Sequence, residues 1–206
     1  MKRKKRLLPL LILALLGIWL YRGMPGAENV IARVRMEQLS REPLPEWVDV
    51  QLIEIDGDSR RGERLEGISN IVIHYVGNPG TTAMQNRNWY ANPQSEVSSH
   101  FLVGLEGEVI LCVPLDERSS ASNHRNGDTI SIEVCHPDES GRFTEKTYEA
   151  LVKLTAWLLD CCGMDADTVI RHYDITGKDC PRYFVQNEES WLVFREDVAR
   201  AAAGKG

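Results

Sequence analysis

The stretch ISNIVIHYV, residues 68–76, decides the fold of this chain. Five of its first seven residues are isoleucine, valine or histidine, and it is bounded by Gly67 and by the sequence GNPG. A short run that is rich in β-branched residues and flanked by turn residues is typical of a buried strand. We therefore predict a strand inside a sheet, with His74 at its end, where the chain leaves the sheet for a loop.

The segments after this strand alternate between helix and strand patterns. Residues 81–92 begin with two threonines that suit a helix N-cap, and apolar segments on both sides of LEGE predict a hairpin. Residues 128–135, DTISIEVC, predict another buried strand, residues 144–163 an amphipathic helix ending at glycine, and residues 187–203 a closing helix. The fold class is therefore α/β: a single domain with a central mixed β-sheet flanked by helices.

The first 22 residues differ in character from the rest. The basic cluster MKRKKR precedes an uncharged apolar run of 15 residues, 7–21, which predicts an export segment with its amino terminus inside. As a helix this run measures about 22 Å, against about 30 Å of hydrocarbon. A signal-anchor and a cleaved signal peptide both stay open, and the anchor is favoured because no A-x-A arrangement of small residues follows Tyr21.

These features divide the chain into three parts. Residues 1–22 are the signal-anchor or signal peptide, residues 23–67 a stalk and lead-in, and residues 68–206 the main domain. The expected location is the cell membrane, with a single pass and the main domain outside; secretion after cleavage is the alternative.

Charge and cysteine content narrow the range of partners. Six basic and no acidic residues lie in the first 22, so the remainder holds 18 basic and 30 acidic residues. Bulk charge of that sign does not favour nucleic acid, which we exclude as a partner. The chain has five cysteines, an odd number for an exported protein, so at least one thiol is left unpaired. Such a thiol is expected to be buried or bound to a metal.

A candidate metal site lies in RHYDITGKDCP, residues 171–181. His172 and Cys180 are eight positions apart in a loop flexible enough to bring both side chains to one ion. Catalytic zinc usually takes three protein ligands, and His74 at the strand end is the best third candidate. Taken singly, each residue is more often ordinary packing, so the spacing leaves both interpretations open.

Four ordered segments, NIVIHYVGNPG, SSHFLVG, ASNHRNGDTISIEVC and RHYDITGKDCP, together resemble the zinc-dependent N-acetylmuramoyl-L-alanine amidases of the amidase 2 family. This bacterial and phage family is related to the peptidoglycan recognition proteins. The resemblance covers about residues 68–195 and implies that His74, His172 and Cys180 bind one zinc ion per chain. It also implies hydrolysis of the amide bond between the lactyl group of muramic acid and L-alanine in peptidoglycan, and a metal groove at one edge of a mixed sheet.

The two expected catalytic residues are Glu133 and Lys178. Strand alternation places Ser131, Glu133 and Cys135 on one face, and a carboxylate in an apolar strand is costly to bury without a partner. We therefore expect Glu133 in a polar groove as the general base, with a solvent-facing glutamate as the alternative. Lys178, two positions before the cysteine, matches the family's lysine and would stabilise the oxyanion. Part of the family carries a tyrosine at the position of Ser99. This chain therefore has no tyrosine there to act as a catalytic residue.

Four further residues are assigned supporting roles. Asn123 and His124 in a polar loop, together with His100, are predicted to bind substrate, although the loop pair is equally consistent with an ordinary loop. Asp174 is predicted to accept a hydrogen bond from a metal-bound histidine, as such ligands usually require. A turn cap is its alternative role.

Three functions are compatible with the sequence. A membrane-tethered zinc amidase that acts on peptidoglycan as a monomer is favoured, because all three predicted ligands are present. A non-catalytic peptidoglycan-binding receptor of the same fold is the alternative from another class. An amidase that recycles anhydromuramyl peptides is the third, and the apolar leader argues against it.

Overall fold

Six strands form one mixed sheet at the centre of the protein. The computed structural model describes residues 26–55, 57–92 and 94–204. The strand order is β1-β4-β3-β5-β2-β6, in which β3 and β4 are antiparallel and all other neighbours are parallel. The strands are β1 (Val48–Val50), β2 (Asn70–Tyr75), β3 (Phe101–Val103), β4 (Val109–Leu111), β5 (Thr129–Val134) and β6 (Val169–Arg171).

Helices cover both faces of this sheet. The larger core lies between the sheet and the long helices α3 and α6, and a smaller core lies beneath α2 on the opposite face. Two short 3₁₀ turns, Asn123–Arg125 and Ala166–Thr168, precede β5 and β6. The α-helices are α1 (Ala27–Leu39), α2 (Ala83–Tyr90), α3 (Glu145–Cys162), α4 (His172–Thr176), α5 (Arg182–Gln186) and α6 (Glu188–Ala203).

Alternation along β2 and β5 sorts their side chains between the two faces. Ile71, Ile73, Ile130 and Ile132 are fully buried in the larger core. Each such side chain contributes about 1.5–3 kcal/mol by leaving water. Because the side chains of a strand alternate, His74 and Glu133 point to the opposite face, the side that α2 covers.

The structure confirms the predicted fold class and its principal elements. The hairpin β3–β4 forms around LEGE, and DTISIEVC supplies β5. Helix α3 begins after Thr144, whose side chain accepts a hydrogen bond from the Thr147 amide, and ends at Gly163 in the left-handed conformation at φ 58°. The helix therefore has the predicted start and stop signals at both ends.

The segment predicted as stalk and lead-in supplies helix α1 and the edge strand β1. Met36 and Leu39 of α1 are buried in the larger core. A Cβ atom at Gly67 would lie 2.6 Å from the backbone of Ala32, so glycine is required for this close approach. The domain boundary at residue 68 remains a prediction.

The predicted single-pass membrane location is corrected. No helix in the described ranges is both long and apolar enough to cross a membrane. The longest of them, α3, has 18 residues and a charged face that includes Lys146, Glu149 and Lys153. Residues 7–21, on which the prediction of an anchor rested, lie outside the described residues.

Candidate metal centre

The carboxyl ends of three neighbouring parallel strands define the site. His74 is the penultimate residue of β2 and pairs in register with Glu133 of β5. On the other side of β2, strand β6 ends at Arg171, and His172 follows as the first residue of α4. Because parallel strands end at the same edge of a sheet, residues distant in sequence meet there.

A turn after α4 brings Cys180 to the two histidines. Gly177 ends α4 in the left-handed conformation at φ 76°, and the Cys180 carbonyl accepts a hydrogen bond of 2.9 Å from the Tyr173 amide. The Cys180 Sγ lies 4.0 Å from the His74 Nδ1, and the rings of His74 and His172 are 4.7 Å apart between centroids. One donor atom from each of the three residues lies within 4.8 Å of the others, so the group could hold a metal ion.

Burial sets the protonation of these donors. Desolvation, then the nearby His172 and the positive charge of Lys178, hold the pKa of His74 well below its usual value. Desolvation and Lys178 also lower the pKa of His172. Both imidazoles are therefore neutral near pH 7, which leaves one nitrogen of each with a lone pair for a metal. Burial raises the pKa of the Cys180 thiol to about 12, with Glu133 as the next cause.

Glu133 lies beside the donors with one oxygen unpaired. Its Oε1 is 3.9 Å from the His74 Nδ1, and its Oε2 is buried without a hydrogen-bond partner. Desolvation raises the pKa of this carboxyl to about 8, and the positive charge of Lys178 opposes that rise. A groove of about 460 Å³ along α2 reaches Glu133 and is lined by Trp89, Tyr90 and Val97 among others. A buried carboxyl group open to a groove on one side is typical of a functional site.

Lys178 is exposed at the rim of this site. The ammonium group influences the pKa of His74, His172 and Glu133, so its charge acts on the donors and on the carboxyl together. A flexible lysine in this position can direct positive charge to a ligand bound between the donors and Glu133.

The other four predicted site residues do not all lie beside the metal donors. Asn123 contacts the site, since its Oδ1 lies 2.8 Å from the His172 Nε2. His124 is exposed and lines a polar cavity of about 280 Å³ with Asn123. His100 is fully buried, and its ring nitrogens contact the hydroxyl of Ser131 and a backbone carbonyl, so it offers no surface to a ligand. The Asp174 carboxylate pairs with Arg171.

Two contributors were not found from the sequence. Ser122 is fully buried, and its Oγ lies 3.4 Å from the His74 Nε2. Arg171, the residue before His172, is only 7% exposed and is fixed by ion pairs with Asp174 and Glu188. A serine in a polar loop and an arginine at a strand end carry no local signal of these roles, since the partners are distant in sequence or visible only after folding.

The fold and the site together define an α/β protein with a candidate His–His–Cys metal centre beside a buried carboxyl group. A model of the amidase 2 family, described as N-acetylmuramoyl-L-alanine amidase, matches residues 64–183. The chain belongs to this family, as the sequence motifs predicted.

Curated relatives agree with this membership. The chain is 31% identical over 174 residues to the N-acetylmuramoyl-L-alanine amidase BlyA of Bacillus subtilis, covering 74% of this chain and 47% of BlyA. It is 26% identical over 163 residues to CwlL of Bacillus licheniformis, an amidase of the same name, covering 71% of this chain and 45% of CwlL. The chain thus spans about half the length of these relatives.

Solved structures share the fold. A mutant endolysin from Bacillus subtilis superposes with a TM-score of 0.64 at 24% identity, covering 73% of this chain and 97% of that chain. The structure of PlyL superposes with a TM-score of 0.66 at 20% identity, covering 75% of this chain and 98% of that chain. At these identities the likeness supports the architecture alone.

Proposed function

We propose that this chain is a zinc-dependent N-acetylmuramoyl-L-alanine amidase that acts on peptidoglycan. The bond hydrolysed is the amide between the lactyl group of muramic acid and the L-alanine of the stem peptide. The observation that carries the proposal is the convergence of His74, His172 and Cys180 within 4.8 Å of one another, beside Glu133. The family of the chain and the names of its relatives point to the same reaction.

The donor set fits one zinc ion. Two neutral imidazoles and one cysteine thiolate are ligand types that zinc prefers, and three protein ligands leave a fourth position for water or substrate. Binding of the ion would release the proton of the Cys180 thiol. The Oε2 atom of Glu133, buried without a partner, adds a polar group that suits a bound water next to the donors. When bound, zinc would polarise the carbonyl of the scissile amide and lower the pKa of a water molecule towards about 7.

Glu133 acts as the general base and then as the general acid. In its ionised form, which the positive charge of Lys178 favours, the carboxylate accepts a proton from the attacking water and returns that proton to the nitrogen of the departing alanine. Its position supports this role, because Oε1 lies near the donors while Oε2 forms no other hydrogen bond.

Lys178 and the polar loop that contains His124 bind the charged and polar groups of the substrate. The ammonium group of Lys178 stabilises the negative charge that develops on the carbonyl oxygen of the scissile amide. His124, exposed beside a polar cavity, donates a hydrogen bond to a peptide carbonyl of the stem. The exposure and positive charge of Lys178 support its role, and the exposure of His124 supports the other.

Purified peptidoglycan provides the direct test. We expect the full chain to expose new amino termini of alanine, to lose this activity with a chelator, and to regain it with zinc. Glu133→Gln should lower the rate by about 10² to 10⁴ fold, the usual contribution of general acid–base catalysis, with zinc content unchanged. Glu196→Gln, the same chemical change at an exposed position of α6, serves as the matched control. A folded, zinc-loaded protein that released no alanine amines from several wall types would overturn the proposal.

A further inference from the structure

Two consecutive residues, Ser122 and Asn123, each contact one of the two histidines, and both contacts are to the Nε2 atom of the ring. Ser122 Oγ lies 3.4 Å from the His74 Nε2, and Asn123 Oδ1 lies 2.8 Å from the His172 Nε2. Ser122 and Asn123 are 48 and 49 positions away from their respective partners in sequence. A single loop segment therefore reaches both rings, each from the side of its Nε2.

The chemistry of the Asn123 contact selects one tautomer of His172. A neutral imidazole has one nitrogen that donates and one that accepts. The amide oxygen of Asn123 can only accept, so the His172 Nε2 donates to it and the Nδ1 of that ring keeps its lone pair. In His74 the Nδ1 faces the Cys180 Sγ at 4.0 Å and the Glu133 Oε1 at 3.9 Å, which leaves Nε2 for Ser122.

Directionality also excludes the Nε2 of His172 as the metal donor. A ring nitrogen has a single in-plane direction for either a proton or a metal, and Asn123 Oδ1 lies in that direction at hydrogen-bond distance. A metal ion bound to Nε2 would lie about 2.0–2.1 Å from it, in the gap that the hydrogen bond to Asn123 Oδ1 already occupies. The free nitrogen of His172 is therefore Nδ1, the same atom that His74 turns towards Cys180.

The loop is built to hold this arrangement. Asn123 has φ 53° and is the one residue other than glycine with positive φ in the described part of the chain. The Asn126 side chain accepts hydrogen bonds from the amides of Ala121 and Ser122, at 3.2 and 2.6 Å, and so fixes the preceding turn. Asparagine tolerates the left-handed region better than most residues, and here that conformation directs its amide towards His172.

We propose that Ser122 and Asn123 form a clamp that positions both metal-binding imidazoles through Nε2 and presents their Nδ1 atoms to the metal. Both are positioning residues and act through the histidines. The inference rests on the proposed metal site and assigns Asn123 a role different from the substrate binding predicted from the sequence. Partners of this kind typically change metal affinity by about 10 to 100 fold when removed.

Substitutions at Asn123 separate positioning from folding. Asn123→Gly removes the amide oxygen but accepts positive φ at no cost, so we expect zinc affinity to fall by about 10 to 100 fold with an unchanged or higher melting temperature. Asn123→Asp keeps an acceptor oxygen and should restore affinity to within a few fold of the original. Asn92→Gly, which removes a loop side chain that accepts a hydrogen bond from the Gln94 amide, should leave zinc affinity unchanged. Competition with a chromophoric chelator measures affinity in the full chain.

A second readout does not depend on bound metal. Nitrogen NMR of the metal-free full chain should show His172 as the Nε2–H tautomer, and Asn123→Gly should shift it towards a mixture. Unchanged zinc affinity and an unchanged His172 tautomer in Asn123→Gly would overturn the clamp while leaving the amidase proposal intact. An unsubstituted chain that binds no zinc would overturn the proposed function and, with it, the purpose of the clamp.

Discussion

A His100→Gln variant is expected to lose part of the acid sensitivity of the folded protein. His100 is fully buried between β3 and β5. Its Nδ1 accepts a hydrogen bond of 3.1 Å from the Ser131 amide, and its Nε2 donates one of 2.9 Å to the Glu117 carbonyl. A proton on Nδ1 would face the amide hydrogen of Ser131, so the pocket favours the neutral ring over the protonated one.

The magnitude follows from the pKa of this ring. Desolvation lowers the pKa of His100 from 6.5 to about 4, and the contact with the Glu117 carbonyl opposes that shift. Between these values the unfolded chain binds a proton that the folded chain does not, so stability rises with pH across this window. The contribution is fully present above pH 6.5, declines as pH falls, and is lost below pH 4. At about 1.4 kcal/mol per unit, the total is about 3 kcal/mol.

Urea unfolding at several pH values between 7 and 4 measures this contribution. In glutamine the terminal amide keeps a donor for the Glu117 carbonyl but has no proton to gain in this range. The slope of unfolding free energy against pH should therefore be smaller in His100→Gln. The decrease corresponds to the uptake of at most one proton on unfolding. His74 and His172 contribute to both proteins, so the difference isolates His100. Parallel curves for the two proteins between pH 6.5 and 4 would refute the argument.

Two further predictions concern the metal and the strand that supports it. Zinc at a hundredfold excess over its dissociation constant should raise the unfolding free energy by about 3 kcal/mol, and Cys180→Ala should abolish that gain in thermal melts. Arg171→Met should lower the unfolding free energy by about 2 kcal/mol in urea, because its guanidinium donates to Asp174, Glu188 and the Phe184 carbonyl. A loss below about 0.5 kcal/mol would show that these contacts are not stabilising.

Local sequence patterns predicted much of the fold because they report the periodicity of single elements. The isoleucine-rich runs of β2 and β5, the hairpin at LEGE and the capped helix α3 can each be recognised within one window. The strand order required the structure, since it depends on long-range pairing. Strand β1, from the segment predicted as a stalk and lead-in, joins the sheet edge through β4, about 60 residues later.

The candidate site likewise has features that the sequence predicted and features that only the tertiary structure revealed. The sequence alone predicted the residues with metal-binding and proton-transfer chemistry, because His74, His172, Cys180 and Glu133 stand in motifs that match one family. Only the tertiary structure decided their partners, since Asn123 contacts His172, Asp174 pairs with Arg171, and His100 is sealed inside the sheet. The physical reason is that residue type sets what a side chain can bind. Its burial and hydrogen-bond partners come from segments that meet only when the chain folds.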